Sequence, residues 1–235
     1  LWLSPLIATA LQEPLTGPAK VEAHQFHRWM ASPQPEPADS PSILIVAALA
    51  EELDHPGVLH TGLGKINAAY AVTRELQRRR PKLVVNYGTV GGLNPSLAGL
   101  VEIRRVLQVD MEAEPLAPRG QTPFSPGPFQ LDSGSDGVVC GSGDRFVTAV
   151  DPWLLQHGVD VVDMELFAIA SVCLREGIPW RSFKYISDHA DRDSQTSWQG
   201  HIREGQELFL ARVGELALTY SEGGSGEGFR SDARS

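Results

Sequence analysis

The chain has 235 residues, 42% of them hydrophobic, which suits one α/β domain with a sizeable core. Its formal net charge of −9 speaks against a nucleic-acid-binding surface, which usually leaves a basic excess. Two cysteines, Cys140 and Cys173, make no disulfide framework and no CxxC pair suggests zinc, so a reduced, cytoplasmic setting is expected.

The opening LWLSPLIATALQEPL is apolar but shorter than the roughly 20 residues of a membrane span, and it lacks the basic leader of a signal peptide. A peripheral helix is expected there, with a signal-peptide remnant as the alternative and no membrane partner. His24 and His27 have HxxH spacing but no third ligand nearby. ASPQPEPADSPS (31–42) is a Pro- and Ser-rich linker, so residues 1–42 form an extension ahead of the folded domain.

ILIVAAL (43–49) is a continuous apolar run of strand length, the signature of a strand buried on both faces. GKINAAYAVTRELQRRR (64–80) has helical spacing, with Ile66, Ala69, Tyr70, Thr73 and Leu76 on one face. Its closing cations suit a helix C-terminus, and Pro81 ends it. KLVVNYG (82–88) is the next buried strand, and strand–helix–strand implies a parallel βαβ unit. A third strand is expected within VEIRRVLQVD (101–110), then an irregular loop holding five prolines between Pro115 and Pro128. GVVCGS (137–142) and VDVV (159–162) are strands, and MELFAIASVCLREG (164–177) is a helix closed by Gly177. WRSFKYIS (180–187) is a strand. A last helix begins near Thr196, with Trp198, Ile202, Phe209, Val213 and Leu216 as its stripe. The folded domain spans 43–220, and the tail SEGGSGEGFRSDARS (221–235) is expected to be disordered. The fold class is a single α/β domain with a mostly parallel central sheet flanked by helices.

In open α/β sheets ligands bind beyond the C-terminal ends of the strands. Four polar stretches stand there: AEE (50–52), GTVGG (88–92), MEL (164–166) and SDHAD (187–191). Glu51, Glu52 and Glu165 also suit helix N-termini, and Asp188 suits an N-cap. Acids gathered on one rim instead suit recognition of hydroxyls, because an ionised carboxylate offers only acceptors. GTVGG lacks the spacing of a phosphate loop or dinucleotide site. It is either a tight strand-to-helix turn or a place where backbone approaches a ligand. Asp163 and Glu165 flank Met164 inside VDVVDMELFAIASV (159–172), where an unpaired charge would be costly.

The stretches VAALAEEL, HTGLGKINAA, VVNYGTVGGL, GSGDRFV, VVDMELFAIA and KYISDHAD, in this order, resemble the nucleoside phosphorylase and nucleosidase superfamily. The likeness is greatest to 5′-methylthioadenosine/S-adenosylhomocysteine nucleosidases and runs from about Ile43 to Leu216. It implies hydrolysis of an N-glycosidic bond to adenine and a 5-thio-substituted ribose, in methionine and purine salvage. By that resemblance Glu165 binds the ribose hydroxyls, Met164 packs on the sugar, and Asp163 lies near the sugar edge. Asp188 donates a proton toward N7 of adenine, and Glu52 activates water, with Glu51 as the register-shifted alternative. Phe146 stacks on the base and the backbone of Val147 reads its edge. Thr89, Gly91 and Lys184 complete the substrate-binding set.

Phosphorylases of the superfamily tend to carry an arginine just before the GTVGG-like turn; here Asn86 and Tyr87 stand there. Water is therefore the expected nucleophile. Lys184, where these nucleosidases often have arginine, could still pair with phosphate as a point charge. A purine nucleoside phosphorylase or a futalosine-type nucleosidase thus remain alternatives. A non-catalytic nucleoside binder is the remote one, because it would need no proton donor. The resemblance implies a small-molecule nucleoside substrate, no metal or cofactor, and a homodimer whose partner closes the 5′ end, with loop 111–130 a candidate contact.

Overall fold

The computed structural model describes residues 42–125, 127–145, 147, 151–188 and 198–221, the side chains of Asp188, 198–202 and 218–221 excepted. The expected helix near the N-terminus, the HxxH pair, the linker, Phe146 and the C-terminal tail lie outside these residues.

Eight strands and four helices are present among them: β1 (Ile43–Ala47), β2 (Leu59–His60), α1 (Lys65–Arg78), β3 (Leu83–Gly92), β4 (Gly99–Gln108), β5 (Gln130–Asp132), β6 (Val138–Ser142), α2 (Pro152–Gln156), β7 (Val161–Asp163), α3 (Leu166–Glu176), β8 (Trp180–Asp188) and α4 (Trp198–Ser221). They belong to one compact unit. Every strand and helix expected between Ile43 and Ser221 occurs within a few residues of its expected bounds. The additional β2, β5 and α2 are only two, three and five residues long, too short for periodicity to reveal.

The sheet is mixed. β1 pairs in parallel with β2 and β3, β3 with β8, and β6 with both β4 and β7; β3–β7, β4–β5 and β4–β8 are antiparallel. Following the pairs from β3 through β8, β4, β6 and β7 returns to β3, so five strands close into a ring. The central strands are buried on both sides, as their unbroken apolar runs require. Val84 packs with α1 and α3, while its neighbour Val85 packs with Phe209 of α4.

Two local expectations are corrected. GTVGG is not a turn: β3 runs on to Gly92 because β8 pairs along it from Val84 to Gly91, with a bulge at Val90/Gly91, and β7 joins at Gly91 and Gly92. Helix α1 is rotated from its expected phase. It buries Ala68, Val72, Glu75 and Leu76, whereas Ile66 and Tyr70 are 82% and 67% exposed. Glu75 can join the inner face because Arg79, one turn on, bonds its carboxylate.

α4 seats closely on the sheet at Gly205, where a Cβ would stand 2.4 Å from the Tyr87 hydroxyl and 2.7 Å from the Tyr185 ring. Gly205→Ala would gain roughly 1 kcal/mol in helix propensity. Overpacking costs about 1–3 kcal/mol or more, and contacts this short on central strands belong at the upper end. A net loss of roughly 2 kcal/mol is expected, visible as a lower urea midpoint. An unchanged midpoint would show that α4 does not seat there.

Candidate active site

The strand ends bring the rim motifs together. Glu52, just beyond β1, is 7% exposed, and its Oε1 accepts from both the backbone N and the Oγ1 of Thr89, each at 2.8 Å. Its Oε2 accepts from Leu49 N at 3.3 Å. The carboxylate is therefore fixed in plane and orientation by β3 and its own loop. Glu51 is exposed and makes no such contact, so the geometry favours Glu52 over its neighbour. From α4, Gln206 Nε2 donates to the Glu52 carbonyl at 3.0 Å.

Gly88 makes room for this group. A Cβ there would lie 3.3 Å from Lys184 Nζ and 3.4 Å from Glu52 Oε1, so ammonium and carboxylate share the space over one glycine of β3. Lys184, on β8, is 2% exposed, and its Nζ is 2.7 Å from Asp163 Oδ2. That same Asp163 oxygen accepts from Leu166 N, the first residue of α3, at 3.0 Å. Asp163 Oδ1 is buried without a hydrogen-bond partner. Burial alone would drive the proton off Lys184, but the Asp163 carboxylate, with Glu165 behind it, outweighs it and holds the ammonium well above its ordinary range. The buried Cys140 thiol is pushed far upward by desolvation and then by Asp163, so it stays neutral.

Glu165 is the N-cap residue of α3, but its side chain makes no capping hydrogen bond in that helix. Its Oε1 accepts instead from Gly64 N, at the start of α1, at 2.8 Å. The helix-terminus role expected of a glutamate here is thus real, but it serves the other helix. Its second oxygen has no hydrogen-bond partner among the described residues. Burial first, and Asp163 second, lift the Glu165 carboxyl to about 7 against the pull of Lys184 and the Gly64 amide, with Glu52 adding a further upward push.

The pair that flanks Met164 therefore divides its work. Asp163 holds Lys184 and the head of α3, and Glu165 turns toward α1. Met164 is half-buried between them. Gly91 pairs with Val162 and with Asp188, placing the backbone of Asp188 at this rim. Val147 packs beside Val109, Leu154 and Val159. Asn86 is spent within the sheet: Nδ2 donates to the carbonyls of Val46 and Tyr87, and Oδ1 accepts from Ser182 Oγ.

Several positioning groups escaped sequence reasoning. Ser142 Oγ accepts from Phe167 N at 3.1 Å, joining β6 to α3. Lys65 N donates to Asp144 Oδ1 at 2.8 Å, Lys65 Nζ pairs with Asp110, and Asp110 Oδ2 accepts from Asp144 N at 2.8 Å. Adjacent amides of α1 thus grip the glutamate after β7 and the aspartate after β6. The G-K and G-D pairs in GLGK and GSGD were the available signal, with Gly64 at φ 90°. Among the described residues no cluster of three or more His, Cys, Asp or Glu is arranged to hold a metal. None of the described helices is long and apolar enough to cross a membrane.

The model of the phosphorylase superfamily matches residues 134–222. The 5′-methylthioadenosine/S-adenosylhomocysteine nucleosidase of Haemophilus ducreyi is 31% identical, over 68% of this chain and 80% of that protein. The chain belongs to this nucleosidase family. The enzyme of the same name from Geobacillus thermodenitrificans is 30% identical, over 66% and 78% of the two chains. Among solved structures, a Helicobacter pylori nucleosidase mutant with 5′-methylthioadenosine in its active site superposes with a TM-score of 0.66 at 19% identity, covering 75% of this chain and all of that one. The futalosine hydrolase of the same organism gives 0.65 at 20% identity, covering 74% and 98%. Both share the α/β fold. The rim of this fold holds two buried carboxylates in unlike settings: Glu52 held by three donors, and Glu165 with one oxygen bonded to Gly64 N.

Proposed function

We propose that the chain hydrolyses the N-glycosidic bond of 5′-methylthioadenosine, and of S-adenosylhomocysteine, to adenine and a 5-thio-substituted ribose. The observation that carries this reading is the pairing of a rigidly held Glu52 with a half-engaged Glu165 on one rim of a nucleosidase-family fold. Breaking the bond develops oxocarbenium character in the ribose and negative charge on the departing base. One group must activate water and another must protonate the base. Glu52 takes the first task, oriented by Thr89. Asp188, at the end of β8, takes the second. Glu165 offers its open oxygen to the ribose hydroxyls, Met164 covers the sugar, Phe146 stacks on adenine, and the backbones of Val147 and Gly91 border the base and sugar.

Water is the nucleophile. Asn86 is consumed by the sheet, and Lys184 is engaged by Asp163, which leaves neither poised for phosphate. Residues 43–220 act as the catalytic domain, in the cytoplasm, within methionine and purine salvage. The exposed Leu63, Ile66 and Tyr70 at the head of α1 supply the apolar surface for a homodimer.

Adenine release should proceed at the same rate with and without millimolar phosphate and should yield free sugar. A ribose 1-phosphate product would replace hydrolysis by phosphorolysis. Faster turnover of futalosine than of methylthioadenosine would move the substrate assignment to that alternative.

A further inference from the structure

Three carboxylates and one ammonium are enclosed together: Glu52 after β1, Asp163 on β7, Glu165 before α3, and Lys184 on β8. Lys184 and the Asp163 side chain are 2% and 1% exposed, so their charges are screened by protein and not by water. Lys184 Nζ lies against Asp163 on one side and the Gly88 space shared with Glu52 on the other. Through Leu166 N, Asp163 is also tied to the turn that carries Glu165. A lone ammonium among three acids offsets only one of them. The remaining two are the groups the chemistry requires.

We propose that the Asp163–Lys184 pair is a positioning and charge-setting device that acts through Glu165 and Glu52, with Lys184 opposing and Asp163 promoting protonation of Glu165, and that Lys184 makes no contact with phosphate. This rests on the reading of Glu165 as the acceptor for ribose hydroxyls. Among the described side chains, the other groups on Glu165 and Glu52 are the Gly64 amide, with Lys65 of α1 and its partners Asp110 and Asp144 behind it, the neutral Cys140 thiol on β6, and Tyr87 on β3. The cation among these, Lys65, is engaged by Asp110. Deleting Lys184's charge therefore leaves the acids to repel one another, and Glu165 takes up a proton. Deleting Asp163's charge turns the whole pull of Lys184 onto Glu165 and Glu52. The two single variants must act in opposite directions, which loss of packing cannot imitate.

The test is a ¹³C NMR carboxyl titration of the Glu-labelled full chain, with the Glu165 resonance identified by its disappearance in Glu165→Gln. An opposite charge within about 4–6 Å shifts a carboxyl by roughly 1–3 pH units. The Glu165 midpoint should rise by at least about one unit in Lys184→Met, fall by a similar amount in Asp163→Asn, and stay near wild type in Lys184→Arg. The double variant Lys184→Met/Asp163→Asn leaves neither charge unpaired and should return the midpoint close to wild type. Should Lys184→Met not fold, the downward shift in Asp163→Asn and its recovery in the double variant decide the matter. Midpoints that move together, or do not move, overturn the proposal. Opposite shifts beside a wild-type protein that releases no adenine would uphold the charge device and remove the nucleosidase reading.

Discussion

Asp188→Asn should lose about 10²–10⁴-fold in adenine release, the usual worth of a positioned general acid. An amide can still hydrogen-bond N7 of adenine but cannot give it a proton of useful acidity, so binding of a substrate analogue should change far less than turnover. A ribosyl nitrophenolate, whose leaving group departs without protonation, should largely rescue the variant. The competing role is structural. Asn caps helices about as well as Asp, so a pure N-cap would leave turnover near wild type. Asp188 is the last residue of β8, and its backbone is paired to Gly91 beside the bulge in β3. A folded, nearly active Asp188→Asn protein would return this residue to the scaffold and remove the centre of the mechanism.

Glu165→Gln should weaken nucleoside binding by roughly 10- to 100-fold, since hydrogen bonds to a charged acceptor contribute about 1.5–3 kcal/mol each. The amide oxygen can keep the Gly64 N–H, so the fold should tolerate the change. Its NH₂ would then face the ribose, presenting donors to hydroxyls that need acceptors. The variant should no longer prefer ribose over 2′-deoxyribose. Wild-type binding should also strengthen as pH rises through about 7, where Glu165 ionises. The sign follows from the upward shift: the acceptor form exists above that midpoint and is lost below it. In Glu165→Gln that limb should vanish. A variant that retains both the ribose preference and the pH limb would show that another group reads the sugar.

The sequence disclosed the rim of this site better than the ring beneath it. Polar residues placed directly after apolar runs put Glu52, Glu165 and Asp188 at strand ends, where an α/β sheet admits ligands, whereas Thr89 lies inside β3. Closure is different. The antiparallel joins of β4 to β8 and β3 to β7 link segments far apart in the chain, and no local pattern encodes which distant edges meet. The phase of α1 was misjudged for a related reason: Ile66 and Tyr70 look like core, but the face of α1 that meets α3 is lined by Ala68, Val72 and Leu76. The partner of Asp163 was equally hidden. The resemblance puts Lys184 among the substrate-binding residues, but nothing in the sequence shows that the fold encloses it against Asp163.

The ring of five strands also bears on how such a protein can change over time. Each member is hydrogen-bonded on two sides, so an insertion or deletion within any one would break two registers at once and turn its side chains to the wrong faces. Thr89, Asp163 and Lys184 stand on three of those strands. Their relative placement cannot be adjusted by chain length, only by exchanging one side chain for another. The connections are under no such constraint. The long segment between β4 and β5, fastened by Arg119 Nε to the Val109 carbonyl at 2.8 Å and by its guanidinium stacked 4.7 Å over Trp153, can vary between these anchors while the charged centre stays fixed. Descendants of this chain would therefore alter what they accept at the periphery long before they alter how they cut.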